Sequence, residues 1–410
     1  CGLTALVCGF AAPLHIARPF GLRPLDGWLF LSLHQKKLIM SILDPVQLGP
    51  LTLKNAVFMA PLTRSRADNP ERVPTALHQE YYAQRASAGL LISEGLPISD
   101  RAGGYLFVPG IYTPIQVEAW KAVTAAVKAK GGHFFAQIWH VGRVSHPDLI
   151  NGHALLAPSA IATGSKSRTY EGLKFSPVPK AMDQEDIQTV IAQFKQAAAN
   201  ALAAGFDGVE LHTSNGYLFH QFFANSANQR QDKYGGSIAN RARFLFEVLE
   251  AIQEVCPLER VGLRFNPMLD GHLGIDVDEE TIPFFDYLLE KLNDYPLAYV
   301  HLTRPGQAFA HRQLAEKEKD PNLFIQDVIG HYRQIYKGFL VANGGYTAQT
   351  AQEELVQNRA DAIAFGKAFI SNPDLVQRIA QDVTWAAWHP DTFYTQGPAG
   401  YIDYPFLEEG

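Results

Sequence analysis

The chain has 410 residues, 47% hydrophobic, 11% aromatic and 19% charged, enough apolar surface for a sizeable buried core. This profile excludes intrinsic disorder, a collagen-like repeat and a small disulfide scaffold. A net charge of −6 with no dense Lys/Arg stripe gives no support to nucleic-acid binding. The three cysteines, Cys1, Cys8 and Cys256, form no C-x-x-C pair and imply neither a zinc knuckle nor a disulfide framework. The expectation is a soluble, cytoplasmic chain that does not enter the membrane.

Residues 1–39 read differently from the rest. Residues 1–17 contain no Asp, Glu, Lys or Arg, and Arg18, Arg23, Lys36 and Lys37 then face a single acid, Asp26. The uncharged run, broken by Pro13, falls short of the about 20 residues that a bilayer span needs. Its basic residues follow the apolar run, whereas a secretory signal wants them before it. A transit peptide matches the basic, acid-poor composition but not the low Ser and Arg content. The expectation is that Met40 is the natural start, with 1–39 an upstream extension that docks weakly or not at all. Residues 40–410 then form one domain.

From Asn55 onward, short apolar runs alternate with longer segments of helical period. The runs predict strands at 56–61, 90–93, 133–139, 208–212, 261–266, 299–303, 339–343 and 362–366. Helices are predicted at 75–87, 114–130, 183–204, 239–255, 278–293, 324–336, 348–357 and 373–381. Asp183 stands as an N-cap three residues before Asp186, and Gly205 sits where a left-handed C-cap is wanted. Eight alternations predict an α/β fold, a (β/α)8 TIM barrel with its helices outside. A doubly wound open sheet is the rival, but no G-x-G-x-x-G or G-x-x-x-x-G-K-[ST] loop follows any strand. The connection from Val141 to Met182 follows the third strand, so it is expected to be a lid or pocket wall at the C-terminal rim.

Barrel enzymes collect reactive groups at the C-terminal ends of their strands. The fourth strand runs into E-L-H-T-S-N-G-Y-L, giving His212, Asn215 and Tyr217 within six residues. Imidazole and amide N–H groups can donate to one carbonyl oxygen, and a phenol can deliver a proton. Capping of backbone groups by His212 and Asn215, with Tyr217 as a core aromatic, is the structural alternative. The third strand ends A-Q-I-W-H, where Gln137 and Trp139 share a face. The Gln137 amide matches a heterocycle edge carrying N–H beside C=O, or it bonds a neighbouring strand. Thr63, after Pro61 and Leu62, offers a hydroxyl at the end of the first strand. Arg264, on the fifth, calls for an anion or an electron-rich oxygen, or else an ion pair with Glu210. The last two strands end A-N-G-G-Y-T and A-F-G-K-A-F, the usual phosphate position of a barrel. There Gly344, Gly345 and Gly366 allow close approach and Lys367 adds charge. His78, His140, His146 and His220 have no metal-ligand spacing, and no metal site is expected.

These segments together resemble the old yellow enzyme family. The match rests on P-L-T-R at 61–64, Y-Y-x-Q-R-A-S-A-G-L at 81–90, Q-I-W-H-V-G-R at 137–143 and E-L-H-x-x-N-G-Y-L at 210–218. It continues in N-Q-R-x-D-x-Y-G-G-S at 228–237, N-R-A-R at 240–243, A-F-G-K at 364–367 and Y-I-D-Y-P at 401–405, spanning about 43–407 in order. The resemblance implies an FMN-containing barrel that uses NADPH to reduce activated alkenes: enones, nitroalkenes and quinone-like compounds. By it, Thr63 bonds the flavin carbonyl beside N5, Pro61, Leu62 and Gly95 line the ring, Gln137 reads the pyrimidine edge and Arg264 sits at the N1 side. Asn343, Gly344, Gly345, Gly366 and Lys367 hold the phosphate. His212 and Asn215 grip the substrate carbonyl, Tyr217 protonates the α-carbon, and Trp139, Tyr105 and Tyr394 wall the pocket. Asn215 implies the His/Asn subgroup. Lys367 departs from the family's Arg, which predicts weaker FMN retention. A flavin-free barrel aldolase or isomerase and a flavin-binding barrel without catalysis are the competing functions. No motif in the sequence encodes oligomeric state or a choice between NADPH and NADH.

Overall fold

The computed structural model describes residues 41–305, 320 and 322–407. The expectation for residues 1–39 lies outside them. Eight strands, β1 (Val57–Met59), β2 (Leu90–Pro97), β3 (Phe134–Trp139), β4 (Gly208–His212), β5 (Val261–Phe265), β6 (Tyr299–Thr303), β7 (Leu340–Asn343) and β8 (Ala362–Phe365), close into one barrel. Every neighbouring pair is parallel, β8 with β1 included. Helices alternate with the strands. They are α1 (Ala76–Gln84), α2 (Pro114–Ala129), α3 (Gln184–Ala203), α4 (Leu218–Phe223) with α5 (Ile238–Gln253), α6 (Thr281–Lys291), α7 (Val328–Ile335), α8 (Ala348–Val356), and α9 (Lys367–Ser371) with α10 (Leu375–Ala380). This is the (β/α)8 barrel that the alternation predicts.

The strands are buried and mostly apolar because helices cover one face and the barrel interior the other. Phe58, Phe135 and Tyr299 meet in the barrel core, with Tyr299 5.9 Å from Phe135 and 6.4 Å from Phe58 between ring centroids. Gly262, paired with Tyr299 across β5 and β6, makes room for that ring; a Cβ there would lie 2.3 Å from Tyr299 Cζ. Outside the barrel, Asp183 caps α3 by accepting from the Asp186 N–H at 2.9 Å, and Gly205 beyond it takes φ +92°.

Three differences from the sequence reading have physical causes. The helix expected at 373–381 is the shorter α10, and a second short helix, α9, precedes it outside the expected span. Pro373 cannot continue a hydrogen-bonded turn and leaves Asn372 non-helical, at φ −131° and ψ 87°. Helix α4 has all six residues buried, so no polar face marks a helical period. The Val141–Met182 connection contains a hairpin, Lys166–Thr169 with Gly172–Phe175. Tyr170 at its turn accepts from Arg72 at 2.5 Å and packs edge-on to Phe107, so the hairpin leans on the rim. A cavity of about 450 Å³ lies there, lined by Tyr105, Arg72 and Tyr170 among others. No described helix is long and apolar enough to cross a membrane.

Candidate active site

Register places the polar strand-end residues side by side. Gln137 on β3 pairs with Glu210 on β4, His212 pairs with Arg264 on β5, and Arg264 pairs with His301 on β6. Gly95 lies in β2 just past a register shift and pairs with Gln137. A Cβ at Gly95 would sit 2.6 Å from the Trp139 indole, so glycine is required for that ring to lie against the strand. Pro61, Leu62 and Thr63 follow β1 directly, with Leu62 and Thr63 only half-buried.

Four rings form one cluster at this end of the barrel. Trp139 stacks between Tyr105 and His212, at 5.6 Å from each, and Tyr217 stands edge-on to both Trp139 and His212. The Tyr105 and Tyr217 hydroxyls are 2.8 Å apart. Burial holds the Tyr217 phenol well above its ordinary pKa, so it stays protonated. His212 Nδ1 accepts from the Ser214 backbone N–H at 3.4 Å. A backbone N–H can only donate, so the imidazole proton is on Nε2. Burial, and then the nearby Arg264 charge, hold the His212 pKa well below its usual value, which leaves a neutral N–H donor. Asn215 occupies the left-handed region at φ +57°, which asparagine tolerates. Asn266 Nδ2 donates to Asn215 Oδ1 at 3.3 Å, leaving the Asn215 NH2 as its free end. The cluster therefore presents two neutral donors beside a protonated phenol.

Arg264 supplies positive charge below these rings. Its Nη2 donates to Asn343 Oδ1 at 3.4 Å, while its buried Nε has no partner among the described residues. The ion pair with Glu210 considered for Arg264 is not its hydrogen bond. Glu210 instead accepts from Gln137 Nε2 at 2.7 Å, His301 Nδ1 at 2.9 Å and the Tyr299 hydroxyl at 3.1 Å. Asn343 turns its NH2 to the Ala364 carbonyl at 2.7 Å, so its side chain ties β7 to β8 and to Arg264. After β7, Gly344 and Gly345 take φ +115° and +68°, conformations that L side chains rarely adopt. Lys367 is exposed, with Nζ 5.9 Å from the Trp388 ring, and a Cβ at Gly366 would meet only Leu62, at 3.5 Å.

Several residues at this end escaped the sequence reading. Arg304 donates twice to the Gly344 carbonyl, at 2.8 and 2.6 Å, and lies 3.9 Å over the Tyr346 ring, fixing the glycine turn. The signal was an arginine one residue past a barrel strand. Arginines in and beside the motifs at 61–64 and 81–90 turn out to hold the chain in place. Arg64 donates to the Phe393 and Gly400 carbonyls, Arg66 to those of Thr392, Phe393 and Ala399, and Arg85 to those of Phe369 and Ile370. Tyr81 and Tyr401 stack at 4.1 Å. This clamp fixes the segment bearing Tyr394, which is exposed and packs edge-on to Phe393.

The residue set fits a flavin nucleotide. An orphaned guanidinium N–H suits an electron-rich ring edge, a buried amide suits alternating N–H and C=O groups, and a glycine turn with a nearby lysine suits a phosphate. The fold and this site define a flavoprotein oxidoreductase. The chain belongs to the NADH:flavin oxidoreductase / NADH oxidase family, whose family model matches residues 41–385, and thus to the FMN-binding old yellow enzyme family. It is 40% identical over 376 residues to 12-oxophytodienoate reductase 1 of Oryza sativa subsp. japonica, covering 90% of this chain and 93% of the relative. Morphinone reductase, solved in complex with tetrahydroNAD, superposes with a TM-score of 0.82 at 42% identity, over 90% of this chain and 98% of that one. An old yellow enzyme homologue from Zymomonas mobilis gives 0.83 at 39% identity, over 90% and 100%.

Proposed function

We propose that the protein is an FMN-dependent ene-reductase of the His/Asn subgroup, a cytoplasmic enzyme that oxidises NADPH and reduces the C=C bond of enones, nitroalkenes and quinone-like compounds. When bound, FMN supplies the hydride chemistry that links nicotinamide oxidation to alkene reduction at one site. Thr63, Pro61, Leu62 and Gly95 would line its ring, Gln137 its pyrimidine edge and Arg264 its electron-rich side. The turn at Asn343, Gly344 and Gly345, with Gly366 and Lys367, would take the phosphate.

The observation that carries this reading is the His212–Asn215–Tyr217 arrangement. His212 Nε2–H and the Asn215 NH2 donate to the carbonyl or nitro oxygen of the substrate and draw electron density from its β-carbon. Both donors are neutral, so neither gives up its proton. Tyr217 O–H transfers its proton to the α-carbon, and the Tyr105 hydroxyl stabilises the phenolate that remains. Trp139 fixes the planes of His212 and Tyr105 by stacking.

Anaerobic NADPH added to the FMN-loaded protein should bleach its visible band, and 2-cyclohexenone should restore it. Bleaching without recovery would favour a flavin-binding barrel lacking alkene reduction, and faster bleaching by NADH than by NADPH would reverse the assigned donor.

A further inference from the structure

Glu210 is fully buried and lies on β4 between the residues assigned to cofactor and substrate. Its two oxygens serve three donors from two strands. Oε1 takes the Gln137 amide of β3, while Oε2 takes His301 and Tyr299 of β6. The intervening strand, β5, contributes Gly262 opposite Glu210, and its missing side chain lets the Tyr299 ring reach across. The alignment is therefore built by four strands and depends on a glycine.

We propose that Glu210 is a positioning residue for flavin recognition, holding the Gln137 amide in one of its two possible orientations. This rests on the FMN reading above. An ionised carboxylate has no hydrogen and can only accept. Gln137 must therefore turn its NH2 toward Glu210, because the flipped amide would set oxygen against oxygen in a buried site. The carbonyl Oε1 and the second amide hydrogen then remain for a ligand, in a fixed order. That order selects a heterocycle edge with an N–H donor beside a C=O acceptor. His301 and Gln137 donate to the carboxylate and Arg264 sets a positive charge nearby, and together they keep it ionised despite its burial. A purely structural tie between strands would not need an acceptor-only group at this position.

The test is a double-mutant cycle on FMN affinity, using apoprotein of the full chain, its Glu210→Gln and Gln137→Leu variants and the double variant. Fluorescence quenching of FMN reads Kd, and far-UV circular dichroism checks folding. Glutamine at position 210 can donate as well as accept, so it frees the Gln137 amide to flip. Glu210→Gln should weaken FMN binding about ten-fold in the natural background. In the Gln137→Leu background the same change should cost under about two-fold, because the group it orients is gone. Equal losses in both backgrounds would make Glu210 merely structural and overturn the inference. No loss in either would overturn it also. Glu210→Asp, which keeps the charge a methylene short of Gln137, is the second variant and repeats the cycle should Glu210→Gln not fold. Failure of the unsubstituted protein to bind FMN would instead sink the functional reading, an outcome distinct from the others.

Discussion

Replacing Tyr217 by Phe separates the phenolic proton from everything else that ring does. The ring is buried, edge-on to Trp139 at 4.9 Å and to His212 at 4.8 Å, and phenylalanine keeps both contacts. What is lost is one hydroxyl and its 2.8 Å partnership with Tyr105, worth about 1 kcal/mol of stability. Loss of a positioned general acid costs about 10²–10⁴ in rate, or roughly 3–5 kcal/mol of barrier. Alkene reduction should therefore fall by about that factor while NADPH bleaching of the flavin changes little. Stopped-flow absorbance of the two half-reactions, measured separately under anaerobic conditions, reads both numbers. Equal slowing of the two, or unimpaired alkene reduction, would refute the assignment of Tyr217 as proton donor.

The remaining expectations concern binding and stability. His212→Ala removes one of two donors to the substrate oxygen, so enone affinity should fall about ten-fold while FMN stays bound; an unchanged KM for 2-cyclohexenone would contradict this. Lys367→Arg should tighten FMN binding about three- to ten-fold by adding a bidentate fork, read as a lower Kd. Gly262→Ala drives a methyl into Tyr299 and should destabilise the protein by about 1–3 kcal/mol or more, seen as a lower urea midpoint with unchanged slope. Burial pushes the pKa of His78, His140 and His220 down to about 3. Their folded pKa lies below the unfolded one, so their contribution is whole above about pH 6.5 and is lost as pH falls toward 3. On unfolding these three and His212, lowered likewise, take up protons while Glu94, raised by burial to about 7, releases one, so stability should drop by about 4 kcal/mol per pH unit near pH 5, and urea midpoints that stay flat from pH 7 to 5 would contradict this.

The strand-end chemistry was legible because a barrel gathers such residues at one rim and because His212, Asn215 and Tyr217 fall on one short segment. The strands were legible for a different reason: both of their faces are buried, so each reads as a short, mostly apolar run. What the sequence hid is long-range. Glu210 sits two residues from His212, yet its partners Gln137, Tyr299 and His301 come from strands far along the chain. Asn343 was read as a phosphate contact, and only the closed barrel brings its amide to Arg264 and Ala364. Arg64 and Arg85 fall in the quoted motifs and Arg66 just past one, but their work on carbonyls of residues 369–400 needs the tail folded back over the rim. Helix α4 was invisible because a fully buried helix has no periodic face.

The most direct test of the account is FMN reconstitution. Apoprotein incubated with excess FMN and freed of unbound ligand by gel filtration should retain close to one FMN per chain and show its visible absorption. A folded protein that emerges colourless would contradict the central claim that this barrel mouth is a flavin site.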